Sequence, residues 1–355
     1  MPGVDLLGSL TSDTAALRLK LQALTRQTAS GKRAEVAGDI APQLPRAQNL
    51  SSAIARLGSY DSVIGQAQGQ AQATQTVLKQ LQTIATRFSD TVALQLDPNN
   101  PEAVSFAASQ ARDAMVQVGQ LLNTQFQGSY LFGGSDSANP PIPDPEGLPG
   151  SGLATQIAAA IGTLGGGNAV AIAATTKGIA QSDTAGTTPF SAFVSTAPGL
   201  TEPRQAVPSG DGQSVPFGLF ANRNAAAVSA GPETTGAWAR DLLRGLASIA
   251  ALTPAQAAQT QDFTALAGLI REGLKSARNG LADEAGALGL TESRLSATRE
   301  RQSAVADALK AQLADITEVD MAATLAALQQ TQSTLQASYT AAGRLSGLNL
   351  AAYLR

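Results

Sequence analysis

The chain contains no cysteine and no histidine. The first absence removes disulfides, thiol nucleophiles and thiolate metal sites; the second removes every imidazole-based acid–base scheme. Aromatic residues occupy only 4% of the 355 positions. A chain so poor in rings and so rich in Ala, Gln, Ser, Thr and Leu packs best as slender helices meeting along Leu and Ala seams. Positive charge is not in excess, since the net charge is −3, so the basic face that binds nucleic-acid phosphates is missing. The tight basic pair near the start, Lys32-Arg33, reads as a solvated helix end. Strongly apolar runs are missing too. The uncharged stretch 147–176 is made largely of Gly, Ala, Thr, Gln and Asn, which gain little from lipid, and no membrane insertion is expected. Met1-Pro2-Gly3-Val4-Asp5 lacks the positive stretch and apolar core of a signal peptide, so none is expected.

What is present falls into three zones. In the first, Leu10, Leu17 and Leu24 lie seven apart, with Thr14, Leu21 and Thr28 between them at spacings of four and three. That heptad seam predicts one long amphipathic helix ending near Ser30-Gly31, where Gly supplies the C-cap. A second helix is expected from about Asn49 to Leu96, with Val77, Leu81, Ile84 and Phe88 on one stripe. Asp97-Pro98-Asn99-Asn100-Pro101 reads as a turn. A third helix then runs from Glu102 to about Gln127 on Ala107, Ala111, Ala114, Val118 and Leu121, antiparallel to the second.

The second zone, 129–236, holds 11 of the 17 prolines and 17 of the 34 glycines, which breaks the helical pattern. Val170-Ala171-Ile172, Phe190 to Ser195 and Val215 to Phe220 read as strands or extended pieces, giving a small β-containing domain in preference to a disordered linker. In the third zone helical stripes return: Trp238, Leu242, Leu243, Leu246 and Ile249; then Phe263, Leu266, Leu269, Ile270 and Leu274; then Val305, Leu309, Ile316 and Val319, with a slip at Leu313. The last helix offers Leu325, Leu328, Gln332, Leu335, Tyr339 and Ala342. Each helical half carries its own stripes, so the middle zone is expected to be removable without loss of the helices. A narrow terminal seam has nothing to bury itself against when alone, and needs either the other terminus or another subunit.

Candidate chemistry is sparse. Asp315, Glu318 and Asp320 form a carboxylate cluster that reads as a solvated helix face in preference to a cation site. Gly162 to Asn168 is glycine-rich, but no Lys-Ser/Thr follows, so it reads as a turn and not as a phosphate loop. Trp238 reads as a packing anchor. No catalytic residue, metal site or cofactor is assigned.

Several segments resemble the flagellin family. Leu24 to Arg33, with Ser30-Gly31-Lys32-Arg33 at its end, is similar to the motif closing the first flagellin helix. Asn123 to Gly134, with Asn123-Thr124, Phe126, Gly128 and Tyr130-Leu131-Phe132-Gly133-Gly134, resembles the signature that closes the N-terminal helical region. Gly286 to Leu295 and Asp315 to Ala322 resemble two C-terminal motifs. Leu335-Gln336-Ala337-Ser338-Tyr339 and the closing Leu348 to Leu354 resemble the branch of the family at the hook–filament junction. Gly38-Asp39-Ile40-Ala41-Pro42 departs from the paired-Asp run usual in filament members.

The resemblance implies a mainly α fold with an inserted β-containing domain. A long antiparallel helical bundle would be built from both chain ends, with paired terminal coiled-coil helices. The expected parts are a coiled-coil helix and loop (1–48), the first bundle half (49–134), the insert (135–236), the second bundle half (237–312) and the closing coiled-coil helix (313–355). It further implies a structural, non-enzymatic flagellar subunit, exported without a cleaved signal and acting outside the cell. The implied partners are the preceding hook-junction protein, flagellin, further copies of itself and, before export, a cytoplasmic chaperone. The expected assembly interface is Leu10, Leu17, Leu21, Leu24, Leu325, Leu328, Leu335 and Tyr339. The alternatives are a flagellin of the filament itself, or a helical binding module or adhesin with an inserted β domain.

Overall fold

In the computed structural model the backbone is described for residues 3–33 and 41–347, and side chains for 12–33 and 41–344. The chain divides into two compact units, one made of 60–300 and the other of 1–59 with 301–355. Helices α2 (Leu44–Arg87) and α9 (Thr260–Thr317) contribute residues to both.

In the 60–300 unit, the stripe on α2 buries Val77, Leu81, Ile84 and, in a π-helical turn at Phe88–Val92, Phe88. The chain turns at Asp97, whose Oδ1 accepts from the Asn99 amide at 2.9 Å. It re-enters helix at α3 (Pro101–Leu122), where the Asn100 side chain accepts from the Ala103 amide at 3.0 Å and Pro101 fills the first turn. Ala107, Ala111, Ala114 and Val118 are buried as their spacing requires, and Leu121 packs against the same core.

Helix α3 stops at Leu122, short of the expected Gln127. Asn123 takes the chain out of helix, and Gln125–Phe126 (β1) pairs with Ser129–Tyr130 (β2). The two-residue turn has Gln127 at φ 51° and Gly128 at φ 82°, the left-handed pair that matches hairpin twist. The Asn123 side chain is bonded in both directions to the buried Ile142. Its Nδ2 donates to the carbonyl at 2.7 Å, and its Oδ1 accepts from the amide at 2.9 Å. These bonds hold Asn123 to the loop at the point where the helix ends.

The middle zone is more helical than expected. It holds α4 (Gly152–Ile161), α5 (Ala169–Gln181), the short α6 (Ala192–Ser195) and one hairpin, β3 (Ala206–Gly210) with β4 (Gln213–Pro216). Val170 to Ile172 form the first turn of α5 and not a strand, because Ala169, Ile172, Ala173, Thr176 and Ala180 recur at helical spacing and bury one face. Phe190 and Ser191 lead into α6, which takes up the rest of the second expected strand, and only Val215 and Pro216 of the third lie in β4.

Helices α4 and α5 pack on α7 (Trp238–Ala250), as does α3. One core therefore joins Leu153, Ile157 and Ile172 of the middle zone to Met115, Leu242 and Phe263. The middle zone thus shares its core with α7, and taking it out would open that core.

Helix α7 is buried from Trp238 to Ile249, charges included. Arg240 donates to the Ala180 carbonyl in the last turn of α5 at 3.0 Å, to Asn222 at 2.7 Å, and to Asp183. Arg244 donates to the Ala173 carbonyl at 2.8 Å and to Glu233 Oε2 at 2.7 Å. A buried guanidinium is tolerable only when its fork is filled in this way. Trp238 packs edge-on to Phe132 with centroids 6.4 Å apart. Helix α8 (Pro254–Ala257), packed against α3, leads into α9.

Asp241 accepts from the Thr234 hydroxyl at 2.7 Å, the Thr235 amide at 2.6 Å and hydroxyl at 2.7 Å, and Ser276 at 3.0 Å. Burial nevertheless outweighs these bonds and pushes its carboxyl above the ordinary value of 3.8.

Two outcomes follow from these contacts. Asn123→Ala strands both backbone groups of Ile142 and should cost about 2–3 kcal/mol in denaturant unfolding. For Asp241, a raised folded pKa means that the stability from its protonation is complete below the unfolded value and is lost as pH rises through the folded one. The melting temperature of Asp241→Asn relative to the parent should therefore climb as pH rises from 3.8 and then level off; a difference independent of pH would contradict the assignment.

Candidate assembly surfaces

The unit made of 1–59 and 301–355 is built around the two terminal helices, α1 (Gly3–Ser30) and α10 (Met321–Gly347), which pack on each other. On α1 the half-buried positions include Thr14, Leu17, Leu21, Leu24 and Thr28. Leu10 lies on α1, with its side chain outside the described residues.

On α10 the seam runs through Thr324, Leu328, Thr331, Leu335, Ser338 and Ala342, with Leu335 only 9% exposed and Thr331 4%. Leu325 and Tyr339, expected on that stripe, are each 43% exposed, and Gln332 is exposed as well. Positions 324, 331 and 338 lie one residue, about 100° of helix, before the larger side chains at 325, 332 and 339. The small residues sit inside because their hydroxyls are satisfied on their own helix. Thr324 and Thr331 each donate to the carbonyl four residues back at 2.7 Å, and Ser338 does so at 2.9 Å. Threonine can then present its methyl group to α1. Tyr339 instead lies at the seam edge, with the Arg18 guanidinium 5.4 Å from its ring centroid and Arg18 Nε donating to its hydroxyl.

The sequence carried a signal for this register that apolar spacing overlooked. Thr317, Thr324, Thr331 and Ser338 recur every seven residues, in phase with Leu328 and Leu335.

The terminal pair is fastened at its base by a backbone clasp. Gly31 turns at φ +69°, and Lys32 and Glu318 form an antiparallel bridge. Arg33 donates its amide to the Thr317 carbonyl at 2.8 Å, and Val319 donates to Gly31 at 3.0 Å. Val319 thus lies beyond the end of α9 and does not continue its stripe. Asp320 caps α10, its Oδ1 accepting from the Ala322 and Ala323 amides at 2.9 and 3.1 Å. The carboxylates 315, 318 and 320 therefore have three different settings: a helix, a bridge and a cap. Below the clasp, Ala47 and Leu50 of α2 bury Ile316, with Leu309 and Leu313 alongside. Gly38 to Ile40 and Leu348 to Leu354 fall outside the described residues.

The terminal pair leaves apolar side chains uncovered: Leu19 is 67% exposed, Met321 41%, and Leu325 and Tyr339 43% each. Among the described residues no group of carboxylates is arranged to hold a metal, and no described helix is long and apolar enough to cross a membrane.

Two end helices closed on each other by a lean heptad seam, with their outer faces bare, define a coiled-coil subunit whose two chain ends act together. The matches to known families fall on those ends. Residues 10–137 match the bacterial flagellin N-terminal helical region, and residues 272–354 the bacterial flagellin C-terminal helical region, together more than half of the chain. The chain belongs to the flagellin family, and it is a structural, self-associating component of the extracellular bacterial flagellum and not an enzyme. No curated protein matches it closely.

The seam assignment separates neighbouring leucines. Leu328→Asp with Leu335→Asp places two carboxylates in the narrow buried strip, a cost of several kcal/mol. Amides of 14–28 and 324–342 should then lose hydrogen-exchange protection, while those of 60–300 keep it. Leu325→Asp, on the exposed side, should leave both sets unchanged; equal loss in the two variants would refute the register.

Proposed function

We propose that this protein joins the flagellar hook to the filament, stacking on a preceding junction protein on one side and on flagellin on the other. The observation that carries this reading is the row of uncovered apolar residues on the terminal helices, Leu19, Met321, Leu325 and Tyr339, beside a seam already closed within the chain. Such a row needs a neighbour of similar helical character to leave water. The placement at the junction, as against the filament, is supported by the resemblance of Leu335 to Tyr339 and Leu348 to Leu354 to the junction branch of the family. Leu10, Leu17, Leu21, Leu24, Leu328 and Leu335 would hold the terminal pair together, and Leu325 and Tyr339 would face the neighbours. Before export the C-terminal helix, with its apolar residues bare, would be covered by a cytoplasmic chaperone.

Epitope-tagged protein in the source bacterium, decorated with gold-labelled antibody, should give one short band between hook and filament. Cells lacking the protein should carry bare hooks and release flagellin into the medium. Labelling along the whole filament would make it a filament flagellin, and labelling away from the flagellum would refute the reading altogether.

A further inference from the structure

In the 60–300 unit two grooves on the outer face of the helices carry opposite charge at the same spacing. One lies on α2 and is lined by Lys79, Gln82, Thr83, Thr86 and Arg87. The other lies beside α9, where Glu292, Ser293, Ser296 and Glu300 face Gln68 and Gln72. Lys79, Thr83 and Arg87 follow one another at intervals of four, and so do Glu292, Ser296 and Glu300. Each set therefore spans about 12 Å along its helix, with a small hydroxyl residue at the centre. Lys79, Thr83, Arg87, Ser296 and Glu300 are exposed and Glu292 is half-buried.

Within one molecule the two sets approach only at their near ends, where Lys79 acts electrostatically on Glu292, while their centres, Thr83 and Ser296, stay apart. Gln68 Nε2 donates to Ser296 Oγ at 2.9 Å, and Gln75 Nε2 to the Ala285 carbonyl at 2.6 Å, so α2 and α9 run antiparallel with Ser296 level with residue 68. Thr83 is fifteen residues further along α2, roughly 22 Å away. The acidic set also has spare capacity. Glu292 Oε1 has no hydrogen-bond partner among the described residues, and burial raises its pKa against the lowering charge of Lys79. Arg299, a further cation beside the acidic set, is already held by Asp61 through contacts of 2.6 and 3.1 Å.

We infer that these two faces bind each other between neighbouring copies of this chain. A parallel neighbour displaced along the helix axis by roughly 22 Å sets α2 of one copy antiparallel to α9 of the next. Lys79 then meets Glu300, Arg87 meets Glu292, and Thr83 lies opposite Ser296. The contact joins two different surfaces, so each copy retains one free acidic and one free basic face and the association propagates. Exposed ion pairs add little affinity but fix orientation and stagger, which an apolar seam leaves loosely defined. The inference rests on the self-association in the proposed function, though not on the position at the junction.

The absence of native cysteine makes the test direct. A chain carrying Thr83→Cys and Ser296→Cys replaces the native copy, and isolated flagella are oxidised and run on a non-reducing gel. Within one chain the two sulfurs are too far apart to bond, so every bridge joins two copies. Covalent multimers absent from either single variant are expected. Adding Lys79→Glu and Arg87→Glu should reduce them at least tenfold, and further adding Glu292→Lys and Glu300→Lys should restore them to within about twofold. Monomer alone in flagella that contain the doubly substituted chain overturns the inference, as do multimers undiminished by charge reversal. Gold label along the whole filament would refute the junction position and leave this contact standing; a single band at the junction without multimers would do the reverse.

Discussion

Everything at the two ends of this chain depends on a seam that is barely sufficient. Leucine holds three of the five seam positions from Thr14 to Thr28 on α1 but only two of the six from Thr324 to Ala342 on α10, where threonine, serine and alanine fill the rest. No aromatic ring fills the strip, and no disulfide can reinforce it. The backbone clasp between Gly31–Arg33 and Thr317–Val319 compensates in part, because it sets the register of both helices without needing apolar area. A pair held so lightly can close on itself and still leave apolar side chains for others, which suits a subunit completed by its neighbours.

The 60–300 unit solves a different problem. Its central helix, α7, is covered on all sides, so the charges of Arg240, Asp241 and Arg244 are met by protein groups instead of water. Those partners come from α5, from the segment before α7 and from α9. The ion pairs and carbonyl contacts therefore act as specific fasteners for the helices of the middle zone, where Leu–Ala packing alone would tolerate several registers. Glu284 does similar work, accepting from three successive amides, Ala225 to Ala227, at 2.6 to 3.2 Å.

Long periodic stripes were readable in advance: the first helix to Ser30, the α2 stripe ending in Phe88 and the α3 stripe from Ala107 to Val118 all lie where heptad and 3.6-residue spacing put them. What could not be read depended on partners distant in sequence. At the end of α3, Asn123 is held by Ile142, nineteen positions further on. On α10, Leu328, Leu335 and Ala342 lie in the seam as their spacing suggests, but Thr324, Thr331 and Ser338 take the places expected for 325, 332 and 339, because back-bonded hydroxyls let small polar residues face inward. Val170 to Ile172 looked like a strand because a run of three apolar residues carries no period by itself; only the longer spacing to Ala180 distinguishes a helix.

The sole tryptophan gives the molecule an uneven optical character. Trp238 is 1% exposed and lies against Phe132 in the interior of the 60–300 unit, whereas the unit of the two chain ends holds no indole at all. Intrinsic tryptophan emission is therefore a private signal of one unit. The terminal helices can pair, fray or dock in solution without changing it, and a thermal transition seen by ellipticity but silent in fluorescence belongs to them.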